Sequence, residues 1–401
     1  MKITLTLLTT LLLVPMTGVC LGAQSSQAAH PSGKVPLIDV TDLYHTPQDP
    51  GDNFDIVTAY ALPELDLKAV ILDVTEALRT DRRLLTEAQI REGRGRDAGF
   101  VPVLQLNAIF DRDVPCATTP YFAMKSVEDK LLDAPRFQQA GIELILKTLR
   151  ESPTPVHIVS FGSARAIAAA YNREPETLRK KAVVHLCAGG SSPPLPGYIE
   201  HNVGLDPLSI VCLLRSDLRI AIYPDASNTV SQGAPLYMAG YGYDSHNTYY
   251  NLPNRRFLAQ MDPPLRRYLE YAFGQSTRPD FLRMMEVDGP PLEQSILDGR
   301  HDIWETGIWI VVSGRKLVKR ADGTYRIIPA VEVVATDKVL PNELSPCTVT
   351  VQDNGIYEFR ETTRPSNFSV YYRGDPRENE AALREALPAL YLSFRSKTSK
   401  N

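Results

Sequence analysis

The stretch Val35-Pro-Leu-Ile-Asp39-Val-Thr-Asp42 sets the terms for the rest of the chain. It is an apolar run with the length of a buried strand, and it ends in Asp39 and Asp42. Asp49-Pro-Gly-Asp52-Asn53-Phe-Asp55 follows, a Pro/Gly-bearing loop that delivers more carboxylates into a helical pattern over 52–62. Downstream, the runs 68–74, 156–161, 181–188 and 218–223 read as buried strands, and 99–110, 137–150 and 166–171 as helices. The alternation implies βαβ units: an α/β fold with an open, mostly parallel sheet and helices on both faces. Ligands of such a sheet bind in the crevice beyond the carboxyl ends of its strands. Acidic residues gathered there make a hard-cation site, because Ca²⁺ is held by clustered carboxylate, amide and carbonyl oxygens. The plainer alternatives make Asp52 the helix N-cap and Asp42 a turn residue.

With 401 residues, 43% of them apolar, the chain can bury one large core, or one plus a small extension. A formal net charge of −4 leaves no basic footprint and argues against a nucleic-acid partner. Residues 1–29 read as a signal peptide: Lys2, an apolar stretch from Leu5 to Val19, then small residues around Cys20-Leu-Gly22-Ala23. The apolar stretch is too short for a membrane span. The expectation is an exported protein, periplasmic or extracellular, with no stable membrane span after signal removal. Cys116, Cys187, Cys212 and Cys347 remain, without a C-x-x-C, so neither zinc nor a redox motif is indicated. A disulfide is permitted by the compartment.

Three landmarks in order resemble the inosine/uridine-preferring nucleoside hydrolases. The first is the segment from Val35 to Asp55, followed by Pro63-Glu64-Leu65-Asp66-Leu67. The family there has a strand closing in Asp-x-Asp-Pro-Gly-x-Asp-Asp; this chain has extra residues between Asp42 and Pro50. Asp39 matches the first family Asp, while Asp52, Asn53 and Asp55 compete for the later two. The second landmark is Glu200-His-Asn202 with Asp206-Pro207, whose family counterparts hold the sugar hydroxyls; Asp206 also reads as a helix cap. The third is His246-Asn247, set against a family His-Asp pair that opens a late helix, protonates the leaving base and closes the metal site. Asn247 offers an amide oxygen in place of the carboxylate, and Asp244 is a candidate to restore the charge. Between the landmarks, Gly162-Ser-Ala164-Arg165 stands where the family turn donates a carbonyl to the metal, from Ala164 or Arg165 here.

The resemblance implies an enzyme that cleaves N-glycosidic bonds of ribonucleosides to base plus ribose with a Ca²⁺-activated water. Asp39, Asp52, Asp55, the Ala164 carbonyl and Asn247 would hold the ion; Asp39 and His246 would be catalytic; Glu200, Asn202 and Tyr249 would bind substrate. The partner is then a small-molecule nucleoside or sugar, and a homo-oligomer is compatible with it. The resemblance spans about Val35 to Leu252, inside a domain over 35–300. Residues 301–401 read as a β-rich extension ending in a helix, with 303–312 a strand and Asp322-Gly323 a hairpin turn. Two other readings stand beside the enzyme: an exported non-catalytic relative that binds a sugar or nucleoside, and an envelope interaction protein using the β-rich tail.

Overall fold

In a computed structural model, β1 (Val35–Thr41) lies inside a mostly parallel sheet, every residue buried. The structure describes residues 33–397 except 48, 81, 92–93, 228–241, 243, 275 and 277. The proposed signal peptide therefore lies outside the described residues. Parallel neighbours on one side of β1 are β2 (Leu65–Leu72) and then β3 (Cys116–Thr118). On the other come β4 (Val156–Ser160), β5 (Ala182–Cys187) and β6 (Ile220–Tyr223). Register places Asp39 opposite Val70 and Val159.

The sheet does not stop at β6. Of the strands β7 (Glu343–Val351), β8 (Tyr357–Glu361) and β9 (Phe368–Tyr372), the last pairs parallel with β6 through Phe368 and Ile220. Antiparallel β7 and β8 then extend the edge. The order across the nine strands is β8-β7-β9-β6-β5-β4-β1-β2-β3.

Helices cover both faces, as the buried apolar strands demand. On one face α1 (Pro50–Ala61), α6 (Pro263–Phe273), α7 (Thr306–Ser313) and α8 (Pro376–Ser393) contribute Phe54, Leu265, Trp309 and Leu387 to one core. On the other, α3 (Arg136–Glu151), α4 (Arg165–Arg173) and α5 (Pro207–Leu214) bury Ile142, Ala166 and Ile210; α2 (Phe100–Phe110) belongs to the first face. Among the described residues no helix is long and apolar enough to cross a membrane.

Several local expectations are corrected. The run 303–312 is mostly the helix α7, because an unbroken apolar stretch carries no period to separate strand from buried helix. The hairpin does turn at Asp322-Gly323, with Gly323 at φ +87, but it joins Lys316–Lys319 to Tyr325–Ile328. Pro263-Pro264 opens α6, since proline at N1 costs no hydrogen bond. Ala330–Glu332 forms a 3₁₀ turn, and the short strand Lys338–Leu340 follows. Asp49, not Asp52, caps α1: its Oδ1 accepts the Gly51 N–H at 2.6 Å. All four cysteines of the described chain are free.

Candidate active site

Beyond the carboxyl ends of β1, β4, β5 and β6 lies a cavity of about 310 Å³, near the low end of the roughly 300–1,000 Å³ typical of ligand sites. Acids reach it from several elements: Asp42 after β1, Asp49 and Asp52 around the start of α1, and Glu305 just before α7. Glu200, His201 and Asn202, at the start of the short helix His201–Leu205 after β5, and Asp225, from the loop after β6, join them. Tyr44, Phe161, Tyr198 and Trp304 supply aromatic surface. Among the described residues no Lys or Arg side chain lines the cavity.

Gly162, in the turn after β4, makes room for this arrangement. A Cβ there would stand 3.0 Å from Asp42 Cβ and 3.3 Å from its Cγ. This turn is the place where a backbone passes Asp42.

Asp39 is wholly buried, and neither carboxylate oxygen has a hydrogen-bond partner. Burial, with Glu305 beside it, pushes its pKa up to about 8. Asp55 accepts from Trp309 Nε1 with one oxygen and leaves the other unpartnered; burial and then Asp39 hold it well above the usual carboxylate range. Glu305 rises to about 8 through burial and then Asp49, and Asp42 likewise to about 8. Asp52 is raised by burial, then by Asp42 and Asp49. Acids that must stay protonated to coexist are short of positive charge, since like charges and desolvation each oppose ionisation.

The other candidates divide. Glu200 and Asn202 meet at the cavity. Glu200 accepts the N–H groups of Gly189 (2.7 Å), Asn202 (2.8 Å) and Val203 (3.1 Å), so its carboxylate is fixed before any ligand arrives. Asn202 Nδ2 donates to the Cys187 carbonyl and to Asp225 Oδ2. His246 does not line the cavity. Its Nδ1 contacts the Tyr371 carbonyl at 2.8 Å, and its ring packs on Phe359 and Tyr372 of the tail strands. Asn247 is buried beside Asp225, but its Oδ1 accepts the Tyr249 N–H at 2.8 Å and Arg373 lies at 3.5 Å. Tyr249 sits behind the aromatic wall, its ring against Trp304 and its hydroxyl donating to Asp302. The Ala164 carbonyl accepts the Ala168 N–H of α4 at 2.9 Å.

As for an ion, the donor chemistry fits on one side only. Asp39 and Asp55 offer buried, unpartnered carboxylate oxygens close to Glu305, as a hard cation requires. Asn247 and Ala164 are already engaged, and among the described residues no three His, Cys, Asp or Glu side chains stand in ligating geometry.

Sequence reasoning passed over Asp225, Trp304, Glu305 and His201. Asp225 follows an apolar run and falls under the same strand-end rule that singled out Asp39. Trp304 and Glu305 were hidden inside a stretch read as a strand. His301-Asp302, another pair passed over in the sequence, lies just ahead of α7.

Part of the sequence is similar to ribonucleoside hydrolases, and the fold is similar to that of a solved nucleoside hydrolase; no family model matches the chain. It is 29% identical over 192 residues to the pyrimidine-specific ribonucleoside hydrolase RihA of Citrobacter koseri. The protein of the same name from Salmonella newport is 30% identical over 192 residues. Each match takes in 43% of this chain and 57% of the relative, so the chain spans little more than half the length of these curated proteins. The solved structure of an inosine-guanosine nucleoside hydrolase aligns with 90% of this chain and 100% of its own, at a TM-score of 0.50 and 13% identity, a likeness of fold.

Proposed function

We propose that the chain is an exported hydrolase that cleaves the N-glycosidic bond of ribonucleosides, releasing base and free ribose. The observation that carries this is the joining, in one cavity, of fixed sugar-hydroxyl acceptors, aromatic walls and a crowd of uncompensated acids. Glu200 and Asn202 hold the ribose. Trp304 and Tyr198 face the base, where rings stack or lie edge-to-face. Asp39, Asp52, Asp55 and Glu305 would hold a divalent cation, calcium by the resemblance, and that ion would supply an oriented water of lowered pKa. A carboxylate of the same cluster, Asp39 or Asp52, takes the proton of the attacking water. Positive charge grows on the ribose ring as the bond breaks, and the acidic wall stabilises it. His201, which reaches the cavity, replaces His246 as the donor to the leaving base.

The test is release of ribose from uridine, inosine and a nitrophenyl riboside, with and without a chelator. Chelator-sensitive release is expected; the complete absence of ribose from all three sinks the proposal. A binding-only relative is favoured by one observation, the engagement of Asn247 Oδ1 by Tyr249 and Arg373. It predicts ribose binding in calorimetry with no turnover.

A further inference from the structure

The tail reaches the sugar side of the cavity through one peptide group. Tyr357, the first residue of β8, is buried, and its hydroxyl donates to the Ala188 carbonyl at 2.6 Å. The same planar unit carries the Gly189 N–H, which donates to Glu200 Oε2 at 2.7 Å. A peptide unit turns as one piece, so holding its C=O sets the direction of its N–H. Gly189 sits at φ +84, and a Cβ there would lie 2.2 Å from the Tyr357 ring. Only glycine suits both that conformation and that approach. The Gly189 carbonyl in turn accepts the N–H groups of Asp225 (2.9 Å) and Ala226 (3.0 Å). Ring, peptide and carboxylate thus form one hydrogen-bonded chain ending on two acids of the cavity.

We propose that Tyr357 is a positioning residue for substrate: acting through the Ala188–Gly189 peptide, it aims Glu200 at the sugar. The inference rests on the riboside reading of the cavity. It gives the carboxy-terminal strands a part in recognition, beyond filling the sheet edge.

Tyr357→Phe keeps the ring and removes only the donor. The expected effect is a three- to tenfold rise, roughly what one hydrogen bond is worth, in riboside KM and in the ribose Kd, with kcat little changed. Ser192→Ala is the control. Ser192 Oγ also ties the tail to this loop, accepting the Phe359 N–H at 3.2 Å, but that tie does not run through the peptide. It should leave ribose affinity unchanged. In a double-mutant cycle with Glu200→Gln, the Tyr357→Phe effect should vanish, because the two act in series. Equal losses from Tyr357→Phe and Ser192→Ala, or additive losses in the cycle, overturn the inference. Ribose calorimetry keeps the two readings apart. A wild type that binds ribose without turnover defeats the hydrolase reading while the cycle is still read on Kd; a wild type that does neither overturns both.

Discussion

Asp39 shows what the fold asks of single residues. Its ordinary pKa of 3.8 becomes about 8, and Glu305 moves from 4.5 to about 8, chiefly through burial. The folded chain therefore keeps protons here that the unfolded chain has released. Stability from this cluster is full below about pH 4 and is lost as pH rises through about 8. Thermal melts in chelator should show a midpoint that falls over that window, and less steeply in Asp39→Asn. Calcium at pH 8 should raise the wild-type midpoint by several degrees, because an ion bound only to the folded state stabilises it. Calcium should do much less for Asp39→Asn. A wild-type midpoint indifferent to both pH and calcium would remove the cation from the proposal. Asp39 and Asp52 were legible as a strand end and a helix start, which are local patterns, and of the two only Asp52 lines the cavity. His246 and Asn247 were not, since nothing local tells which way a loop side chain turns, and His246 turns toward the tail strands.

At the scale of elements, the loops after β2, β3 and β4 are tied together by Asp73. It accepts from Arg165 at 2.9 Å, from the Thr119 hydroxyl at 2.6 Å and from the Ser163 hydroxyl, with both charged partners almost wholly buried. Removing one member of such a pair strands a charge in the interior. Arg165→Ala should therefore destabilise the chain by about 3–5 kcal/mol in urea unfolding, and Asp73→Leu/Arg165→Leu should recover part of that. A loss under about 1 kcal/mol would mean that the loops hold without the pair. This knot links residues distant in sequence, and periodicity does not report such links. The periodic elements themselves were legible: α3 buries Ile142, Ile145, Leu146 and Leu149 on the face their spacing gives. The run that became α7 was misread because burial on all sides erases the period that marks a helix.

For the whole molecule the question is what the last hundred residues do. Their β content was visible in the sequence, but their destination was not, since strand pairing is a long-range choice. β9 covers the edge of β6 and β8 brings Tyr357 to the Ala188–Gly189 peptide. α8 lays Tyr391 on Phe54 of α1, ring centroids 4.6 Å apart and stacked, behind the helix that presents Asp52 to the cavity. A chain ended at residue 342 would lose all three supports at once. It would bare the backbone of β6 as an unpaired edge, which invites pairing with other chains, and would uncover much of the core on the α1 face. We expect it to elute as aggregate in size-exclusion chromatography, to lose its cooperative melt and to release no ribose. A tail that served only as a separate partner-binding module would instead leave a monomer with full riboside turnover. Recovery of that monomer would detach the tail from the active site and take the role assigned to Tyr357 with it.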